Sequence, residues 1–204
     1  MTIGRHQPAG KKPQQSPSGA GSDAQVRNHR LFFAVFPDPD TRRAIARIAE
    51  VTRSDLGVRG RWVDPSRYHM TVHFLGNHAE LRQDLVDRAA AAATKVKLPA
   101  FVLKLERVAS FPGRKPPGVL RCADGPTPVH ALWEALHGEL VQVGLGSSLE
   151  SDFTPHVTMF YGDGSMLEPA AIEPIAWTMR EFALVHSEVD RKHYRILARW
   201  MLAG

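Results

Sequence analysis

The stretch HMTVHFLG at 69–76 returns later in the chain as HVTMFYG at 156–162. Each stretch begins with His-x-Thr, continues with apolar and aromatic residues, and closes on a glycine. Segments rich in β-branched and aromatic residues are typical of β-strands, and side chains two positions apart lie on the same face of a strand. The pattern therefore predicts that the histidine and the threonine of each motif share one face.

These two motifs pair His69 with Thr71 and His156 with Thr158. An imidazole gives or takes a proton near neutral pH, and a threonine hydroxyl donates a hydrogen bond to a phosphoryl oxygen. In-line displacement at phosphorus needs a base for the entering oxygen and an acid for the departing one. Two histidines in opposite protonation states supply both without a metal. A single His-x-Thr is usually ordinary strand packing, but the duplication favours a catalytic pair.

His73 shares the His69 face if alternation is regular, so it either lines the site or is a half-exposed strand histidine. A zinc site could use His69 and His73, but ligands at i and i+4 share a face on a helix, and this segment has a strand pattern. Cys122 is the only cysteine, which excludes an internal disulfide and a cysteine-rich zinc site. We expect neither a metal nor a cofactor, and we expect Cys122 to be a small buried hydrophobe.

The chain divides into a tail and one folded domain. Residues 1–28 are rich in Pro, Gly, Ser and Gln with basic residues, which predicts a disordered basic tail, and 29–204 form the domain. Apolar spacing predicts helices at 40–51, 79–96 and 127–143, and strands at 30–36, 101–108, 118–122, 153–161, 181–186 and 194–202. Because strands and helices interleave, we expect an α+β fold of largely antiparallel sheet. The duplication indicates two lobes, each with a motif strand at its centre.

Composition and charge limit the class of protein. Apolar residues at 43% and charged residues at 23% exclude a fibrous or wholly disordered chain. The net charge of +5 and a pI near 9.7 favour encounter with polyanions such as nucleic acid, although a basic pI alone is a weak indication. No apolar run is long enough to span a bilayer and no signal peptide fits, so we expect a cytoplasmic protein without membrane contact.

Further segments extend the set of motifs along the chain. They are RLFFAV at 30–35, RWV at 61–63, Phe111-Pro112, Pro155 before the second histidine, and YRILARW at 194–200. In this order and with the two His-x-Thr motifs, they resemble the 2H phosphoesterase superfamily. The resemblance is to its RNA 2′,3′-cyclic phosphodiesterases, once named 2′-5′ RNA ligases, and it covers about 30–202.

This resemblance implies a bilobal fold in which two pseudo-symmetric lobes of antiparallel sheet pack with helices around a central cleft. It also implies hydrolysis of RNA 2′,3′-cyclic phosphate ends, such as those of tRNA fragments, to 2′-phosphates by a monomer, with a weak reverse 2′-5′ ligation. His69 would be the proton donor to the departing 3′ oxygen, and His156 the acceptor that activates water. Thr71 and Thr158 would hold the phosphate oxygens.

The chain departs from the family pattern in two places. Many relatives carry an arginine shortly after the second motif, where this chain has Phe160-Tyr161, and an Arg-Val-Leu-Trp strand where this chain has 118–121. By alternation Phe160 would lie on the His156 face, where an aromatic ring could stack on a base, although a core role competes with this. Arg114 and Arg121 are candidates for a cationic rim that binds substrate.

Two other functions stay open at this point. One is a phosphodiesterase for a small cyclic phosphate, such as an ADP-ribose cyclic phosphate, or for a 2′-5′ oligonucleotide. The other is a non-catalytic RNA-binding module, which the basic pI and the basic tail favour. The residues alone leave the division of acid and base between His69 and His156 symmetric.

Overall fold

The computed structural model describes residues 28–55, 57, 59–164, 166–189 and 191–203; the tail predicted at 1–28 lies, apart from Asn28, outside these residues. The helices are α1 (Pro39–Asp55), α2 (Gln83–Lys95) and α3 (Pro128–Gln142). The strands are β1 (His29–Val35), β2 (Gly60–Trp62), β3 (Met70–His78), β4 (Phe101–Ser110), β5 (Pro117–Arg121), β6 (His156–Gly162), β7 (Ala170–Met179), β8 (Glu181–Glu188) and β9 (Arg195–Met201).

The strands form two antiparallel sheets. One has the order β3-β1-β8-β9, and the other has the order β2-β6-β5-β4-β7. Three helices and the inner faces of both sheets enclose one apolar core, in which Phe33, Trp177 and Phe182 are among the largest fully buried side chains. The predicted α+β fold with two antiparallel sheets is therefore confirmed.

The two motif strands lie at the border between the sheets. β3 is the edge strand of its sheet, and only the three-residue β2 lies outside β6 in the other. The prediction that each motif strand is the centre of a lobe is thus wrong, because the chain crosses between sheets and β1 takes the inner position beside β3. Because β3 lies at the edge of its sheet and β6 lies next to the edge of the other, the two strands contact each other.

The helices form where the sequence predicts them, with small differences at their ends. Asp38 caps α1, since one carboxylate oxygen accepts hydrogen bonds from the backbone N–H groups of Asp40 and Thr41, both at 2.9 Å. On α3, Val129, Leu132, Leu136 and Leu140 repeat at helical spacing and are all fully buried. Helix α2 begins four residues later than predicted at 79, because β3 continues to His78 and a turn follows.

Two strands are absent from the sequence-based prediction. β2 is too short to show a pattern, and β7 carries Glu173 and Pro174 within an otherwise apolar run, so neither gives a clear strand signal. Cys122 is buried as predicted, and burial raises the pKa of its thiol to about 11. Among the described residues, none of the helices combines the length and apolar character that crossing a bilayer requires.

Candidate active site

Each motif strand carries a β-bulge directly after its threonine. Along β1, Ala34 pairs with Thr71 and Phe33 pairs with His73, so Val72 is skipped. Along β5, Val119 pairs with Thr158 and Gly118 pairs with Phe160, so Met159 is skipped. A bulge adds one residue and reverses the alternation beyond it. The histidine and threonine of each motif therefore share the cleft face, and the third residue after each threonine returns to that face.

The two motif histidines are held in the same way. Nδ1 of His69 lies 2.8 Å from the carbonyl oxygen of Arg67, and Nδ1 of His156 lies 2.7 Å from the carbonyl oxygen of Thr154. A carbonyl only accepts, so in each ring Nδ1–H donates and Nε2 is the nitrogen left to exchange a proton. Both rings thus present the same atom for acid-base chemistry.

His69 is enclosed by aromatic rings. The ring of Phe32 lies 5.3 Å away, that of Phe36 6.0 Å, and that of Tyr194 5.1 Å in an edge-on arrangement. The pKa of His69 is lowered to about 4, mainly by burial and in smaller part by the charges of His156 and Arg67, against a raising effect of the hydrogen bond to the Arg67 carbonyl. In the free protein at neutral pH His69 is therefore uncharged.

His156 stands in more polar surroundings. Phe111 packs edge-on against its ring at 4.9 Å, and Arg121 is its partner in register on β5. Burial lowers the pKa of His156, and the guanidinium of Arg121 adds to this, whereas the carboxylate of Glu150 raises the pKa. Both imidazoles line the same cleft, and the charge of His156 contributes to lowering the pKa of His69.

A cleft of about 590 Å³ brings both motifs together, with His69, Thr71, His156 and Thr158 all in its wall. Four cationic side chains, Arg30, Arg61, Arg67 and Lys192, line it against the single carboxylate of Asp64. Such a lining attracts an anion the size of a nucleotide phosphate. A larger cavity of about 1090 Å³ between α1 and β7 contains none of the motif residues in its lining.

Two tyrosine rings also line the cleft, and an arginine side chain lies over each of them. Arg61 lies over the ring of Tyr161 at 4.7 Å, and Arg67 lies over the ring of Tyr194 at 4.6 Å. Arg30, Arg61 and Tyr194 lie in the segments RLFFAV, RWV and YRILARW, whose sequence pattern alone predicts no role for them. The sequence did not indicate Arg67, Tyr161 and Lys192. Arg67 ends the short 3-10 turn Pro65–Arg67 before β3, the bulge turns Tyr161 to the cleft, and Lys192 lies in the loop before β9.

The structure places His73 away from the His69 face, which corrects the prediction that it shares that face. His73 is buried, its Nε2 lies 2.9 Å from the carbonyl oxygen of Trp133 on α3, and its ring stacks on the Trp133 ring. Burial lowers the pKa of His73 to about 4. The bulge at Val72 is the reason, because regular alternation would have kept His73 beside Thr71.

Phe160 is also displaced from the predicted face, by the bulge at Met159. Its side chain is fully buried and packs against Trp62 with ring centroids 4.5 Å apart. The candidate stacking ring of β6 at the cleft is Tyr161 instead, which is about one third exposed. The prediction that Phe160 lies on the His156 face is therefore wrong.

The two predicted cationic rim residues lie in different places. Arg121 is beside His156 and lies over the ring of Phe111 at 5.8 Å, with Asp124 at 3.5 Å. Arg114 is exposed in the turn between β4 and β5, outside the residues that line the cleft. Arg121 thus acts on the site through the charge it places next to His156, while Arg114 is not among the residues that line the cleft.

Among the described residues, one group has metal-binding types of side chain within ligand distance. His29, His186 and Glu188 lie together on β1 and β8, with Nδ1 of His29 at 2.8 Å from Nε2 of His186. That distance fits a hydrogen bond between the two rings, and Glu188 already accepts a hydrogen bond from Arg191 at 2.7 Å. The group includes neither motif histidine.

Comparisons with known proteins show what the sequence and the fold are similar to. Residues 35–120 match the family described as LigT like Phosphoesterase. The RNA 2′,3′-cyclic phosphodiesterase of Aquifex aeolicus (strain VF5) is 29% identical over 134 residues, which are 64% of this chain and 69% of that protein.

Solved structures share the whole fold. TT0787 of Thermus thermophilus superposes with a TM-score of 0.70 at 25% identity, covering 86% of this chain and 98% of that one. Apo E. coli LigT gives a TM-score of 0.70 at 24% identity, covering 88% and 100%. Two His-x-Thr strands face one cleft in this fold, and the chain is similar to the LigT-like phosphoesterases in residues 35–120 and to LigT in its overall fold.

Proposed function

We propose that this protein hydrolyses RNA 2′,3′-cyclic phosphate ends to 2′-phosphomonoesters, and that it uses two histidines and no metal. The observation that carries the proposal is the matched pair of imidazoles, each with Nδ1 tied to a carbonyl and Nε2 free, in one cationic cleft. The name of the Aquifex aeolicus relative supports the substrate class. The reverse reaction, attack of a 5′-hydroxyl on the cyclic phosphate, would make a 2′-5′ linkage.

In the proposed reaction His156 takes a proton from the attacking water and His69 gives one to the departing 3′ oxygen. Both imidazoles are neutral in the free protein at neutral pH, because burial lowers both pKa values. The acid therefore gains its proton when the phosphate anion enters, since an adjacent negative charge raises the pKa of an imidazole. Binding of substrate and charging of the acid are coupled in this scheme.

Thr71 and Thr158 would hold the non-bridging oxygens of the phosphate. Each threonine lies two positions from its histidine, on the same face and before the bulge. Hydroxyl donors aimed at these oxygens stabilise the charge that grows on them in the transition state. The cations of the cleft, Arg30, Arg61 and Lys192, would bind the flanking phosphates of the RNA.

Replacement of the histidines tests this function. With an oligonucleotide that ends in a 2′,3′-cyclic phosphate, His69→Ala and His156→Ala should each lower kcat by a factor of about 10² to 10⁴, as expected for loss of an acid or base. Activity of the unsubstituted protein should persist in excess EDTA. Loss of activity in EDTA with recovery on added zinc, or normal turnover by the double variant, would contradict the proposal. Circular dichroism of each variant checks that it is folded.

A second candidate function is hydrolysis of a small cyclic phosphate or of a 2′-5′ oligonucleotide. The size of the cleft favours it, because about 590 Å³ accommodates a nucleotide-sized ligand. Comparison of kcat/KM on a nucleoside 2′,3′-cyclic phosphate and on a long RNA with the same end separates the two. A non-catalytic RNA-binding module would show salt-sensitive binding without product, so a single turnover by the protein eliminates that alternative.

The setting that we propose is a cytoplasmic monomer that acts on RNA ends such as those of tRNA fragments. A single cysteine, buried and with a raised thiol pKa, fits a reducing compartment and gives no disulfide link between copies. Light scattering at several protein concentrations tests the monomer, and sequencing of RNA ends after treatment with the protein tests the substrate.

A further inference from the structure

A second cavity of about 810 Å³ adjoins the cleft. Thr71, Phe74 and His156 line both spaces, so the second cavity opens directly beside the motif residues. Its other walls come from Val72 and His73 of β3, from Trp133 of α3, from Phe111 just after β4, and from the segment 149–154 that leads into β6. We call this space the acidic arm.

The acidic arm differs from the cleft in charge. Among the described residues, its lining includes the exposed carboxylates of Glu150 and Asp152 and no lysine or arginine, whereas the lining of the cleft has four cationic side chains and one carboxylate. A phosphorus atom held at the shared wall thus has a cationic space on one side and an anionic space on the other. A polyanion would enter the first and be repelled from the second.

Aromatic rings form much of the remaining wall of the acidic arm. Phe74, Phe111, Trp133 and Phe153 all line it and are all half-buried, and the rings of Trp133 and Phe153 stack with an interplanar angle of 5°. Half-buried rings are platforms on which a nucleobase stacks. Carboxylates next to them accept hydrogen bonds from amino groups and ribose hydroxyls. This chemistry fits a nucleoside that carries no further phosphate.

The positions of the two histidines indicate which reacting oxygen lies next to the acidic arm. His156 lines both spaces, whereas His69 lines the cleft alone. In the proposed mechanism His156 takes the proton of the entering oxygen, so the group attached to that oxygen lies on the His156 side of the phosphorus. In hydrolysis the entering oxygen belongs to a water molecule, so no larger group lies on that side.

We propose that the acidic arm is a subsite for the nucleoside that is joined to the reacting phosphorus through its 5′ oxygen. The inference rests on the proposed function, and it adds a second nucleoside site with a stated preference: an uncharged nucleoside is accepted and one with an additional phosphate is disfavoured. The substrates of this subsite are 2′-5′-linked dinucleoside monophosphates and 5′-hydroxyl nucleosides.

The reaction at this subsite balances without another reactant. In one direction the 5′-hydroxyl oxygen bonds to phosphorus while the bond from phosphorus to the 3′ oxygen breaks. The hydroxyl proton passes to His156, and His69 protonates the departing 3′ oxygen. In the other direction the 3′-hydroxyl attacks, the bond to the 5′ oxygen breaks, and a cyclic phosphate and a free nucleoside form.

Cleavage of two matched dinucleotides tests the subsite. The first is adenylyl-(2′-5′)-adenosine, and the second is the same compound with a 3′-phosphate on the nucleoside that is linked through its 5′ oxygen. The full-length protein should cleave the first with a kcat/KM about tenfold higher, which is the order of repulsion that the carboxylates exert on an added phosphate near a protein surface. The discrimination should shrink as salt is added.

A charge series at one position provides the matched variants. The ratio of kcat/KM values for the two dinucleotides should be smaller in Asp152→Asn than in the unsubstituted protein, and smaller still in Asp152→Lys. Glu80 is exposed in the turn after β3, so Glu80→Lys is the control and should leave this ratio unchanged. Equal use of both dinucleotides by the unsubstituted protein, or equal effects of the Asp152 and Glu80 variants, would overturn the subsite. Hydrolysis of adenosine 2′,3′-cyclic phosphate, measured in parallel, reports separately on the proposed function, and its complete absence would refute that function and the subsite with it.

Discussion

Two imidazoles with the same hydrogen bond stand in different electrostatic surroundings. His69 is enclosed by Phe32, Phe36 and Tyr194, whereas His156 lies between the guanidinium of Arg121 and the carboxylate of Glu150. The shared bond from Nδ1 fixes the tautomer, so it does not separate the acid from the base. The difference in surroundings is what would set which ring carries the proton once the phosphate is bound.

A pH profile of kcat/KM tests the charge state of the free protein. Productive binding needs one imidazole protonated and one neutral, and burial lowers both pKa values from the ordinary value of 6.5. The profile should be bell-shaped with its maximum below pH 6.5, and its two limbs belong to the coupled pair. The maximum of kcat should lie at higher pH, because the bound anion raises both pKa values. A kcat/KM maximum well above pH 7 would contradict these pKa directions.

Replacement of Arg121 should shift the pH profile of kcat/KM in one direction. Because its guanidinium lowers the pKa of His156, Arg121→Gln should move one limb of the kcat/KM profile to higher pH. Arg114→Gln is the matched control, since Arg114 is exposed outside the cleft wall, and its profile should coincide with that of the unsubstituted protein. Equal shifts in both variants would mean that long-range charge and not the neighbouring guanidinium sets the profile.

The lowered pKa of His73 predicts how the free energy of unfolding depends on pH. Its pKa in the folded protein is about 4 against an ordinary 6.5, so the unfolded chain binds its proton first as the solution is acidified. The stabilisation is present above pH 6.5 and is lost as the pH falls towards 4, by about 2 to 3 kcal/mol from this residue. Urea unfolding at pH 7 and at pH 4.5 should show a smaller loss in His73→Gln. An identical loss in both proteins would contradict the buried neutral state of His73.

At the scale of elements, the bulges in β3 and β6 decide which side chains reach the cleft. Skipping Val72 and Met159 brings Phe74 and Tyr161 to the cleft and turns His73 and Phe160 to the core. The sequence predicted the strands and the shared face of each His-x-Thr, because those residues precede the bulge. It did not predict the residues beyond, since a regular strand alternates throughout and no glycine or charged residue between Thr71 and Phe74 marks the irregularity.

The packing of β5 against the second bulge gives a stability prediction. A Cβ on Gly118 would overlap the ring of Phe160, which is fully buried against Trp62. Gly118→Ala should therefore lower the free energy of unfolding by about 1 to 3 kcal/mol, as overpacked cores do. Gly138→Ala on α3 meets nothing within 4 Å and should raise the free energy by roughly 0.5 to 1 kcal/mol. Equal urea midpoints for the two variants would contradict this packing.

At the scale of the whole molecule, the cleft exists because two edge regions of separate sheets meet. β3 is an edge strand and β6 has only β2 outside it, so the two motif strands lie in contact although they belong to different sheets. The duplicated motif indicated two lobes, the family resemblance implied an antiparallel sheet in each, and the two antiparallel sheets are confirmed. The crossing of the chain between the sheets could not be predicted from the sequence, because strand order depends on long-range pairing that local patterns do not show.

The cationic lining predicts a dependence on salt that differs between substrates. Arg30, Arg61, Arg67 and Lys192 would contact several phosphates of an RNA but only one of a mononucleotide. Between about 50 and 200 mM salt, kcat/KM on an RNA with a cyclic phosphate end should fall by about tenfold or more, and on a nucleoside cyclic phosphate only by about twofold. Arg61→Gln should flatten the slope for RNA. The same salt slope for both substrates would exclude a polynucleotide path through the cleft.

The product formed at an RNA end tests the central claim most directly. An oligonucleotide with a 2′,3′-cyclic phosphate end is incubated with the full-length protein in excess EDTA, and the end is analysed by phosphorus NMR against 2′- and 3′-phosphate standards. The proposed function predicts conversion to the 2′-phosphate alone, slowed by a factor of about 10² to 10⁴ in His69→Ala and in His156→Ala. A 3′-phosphate, a product that requires added metal, or an unchanged cyclic end would contradict the account.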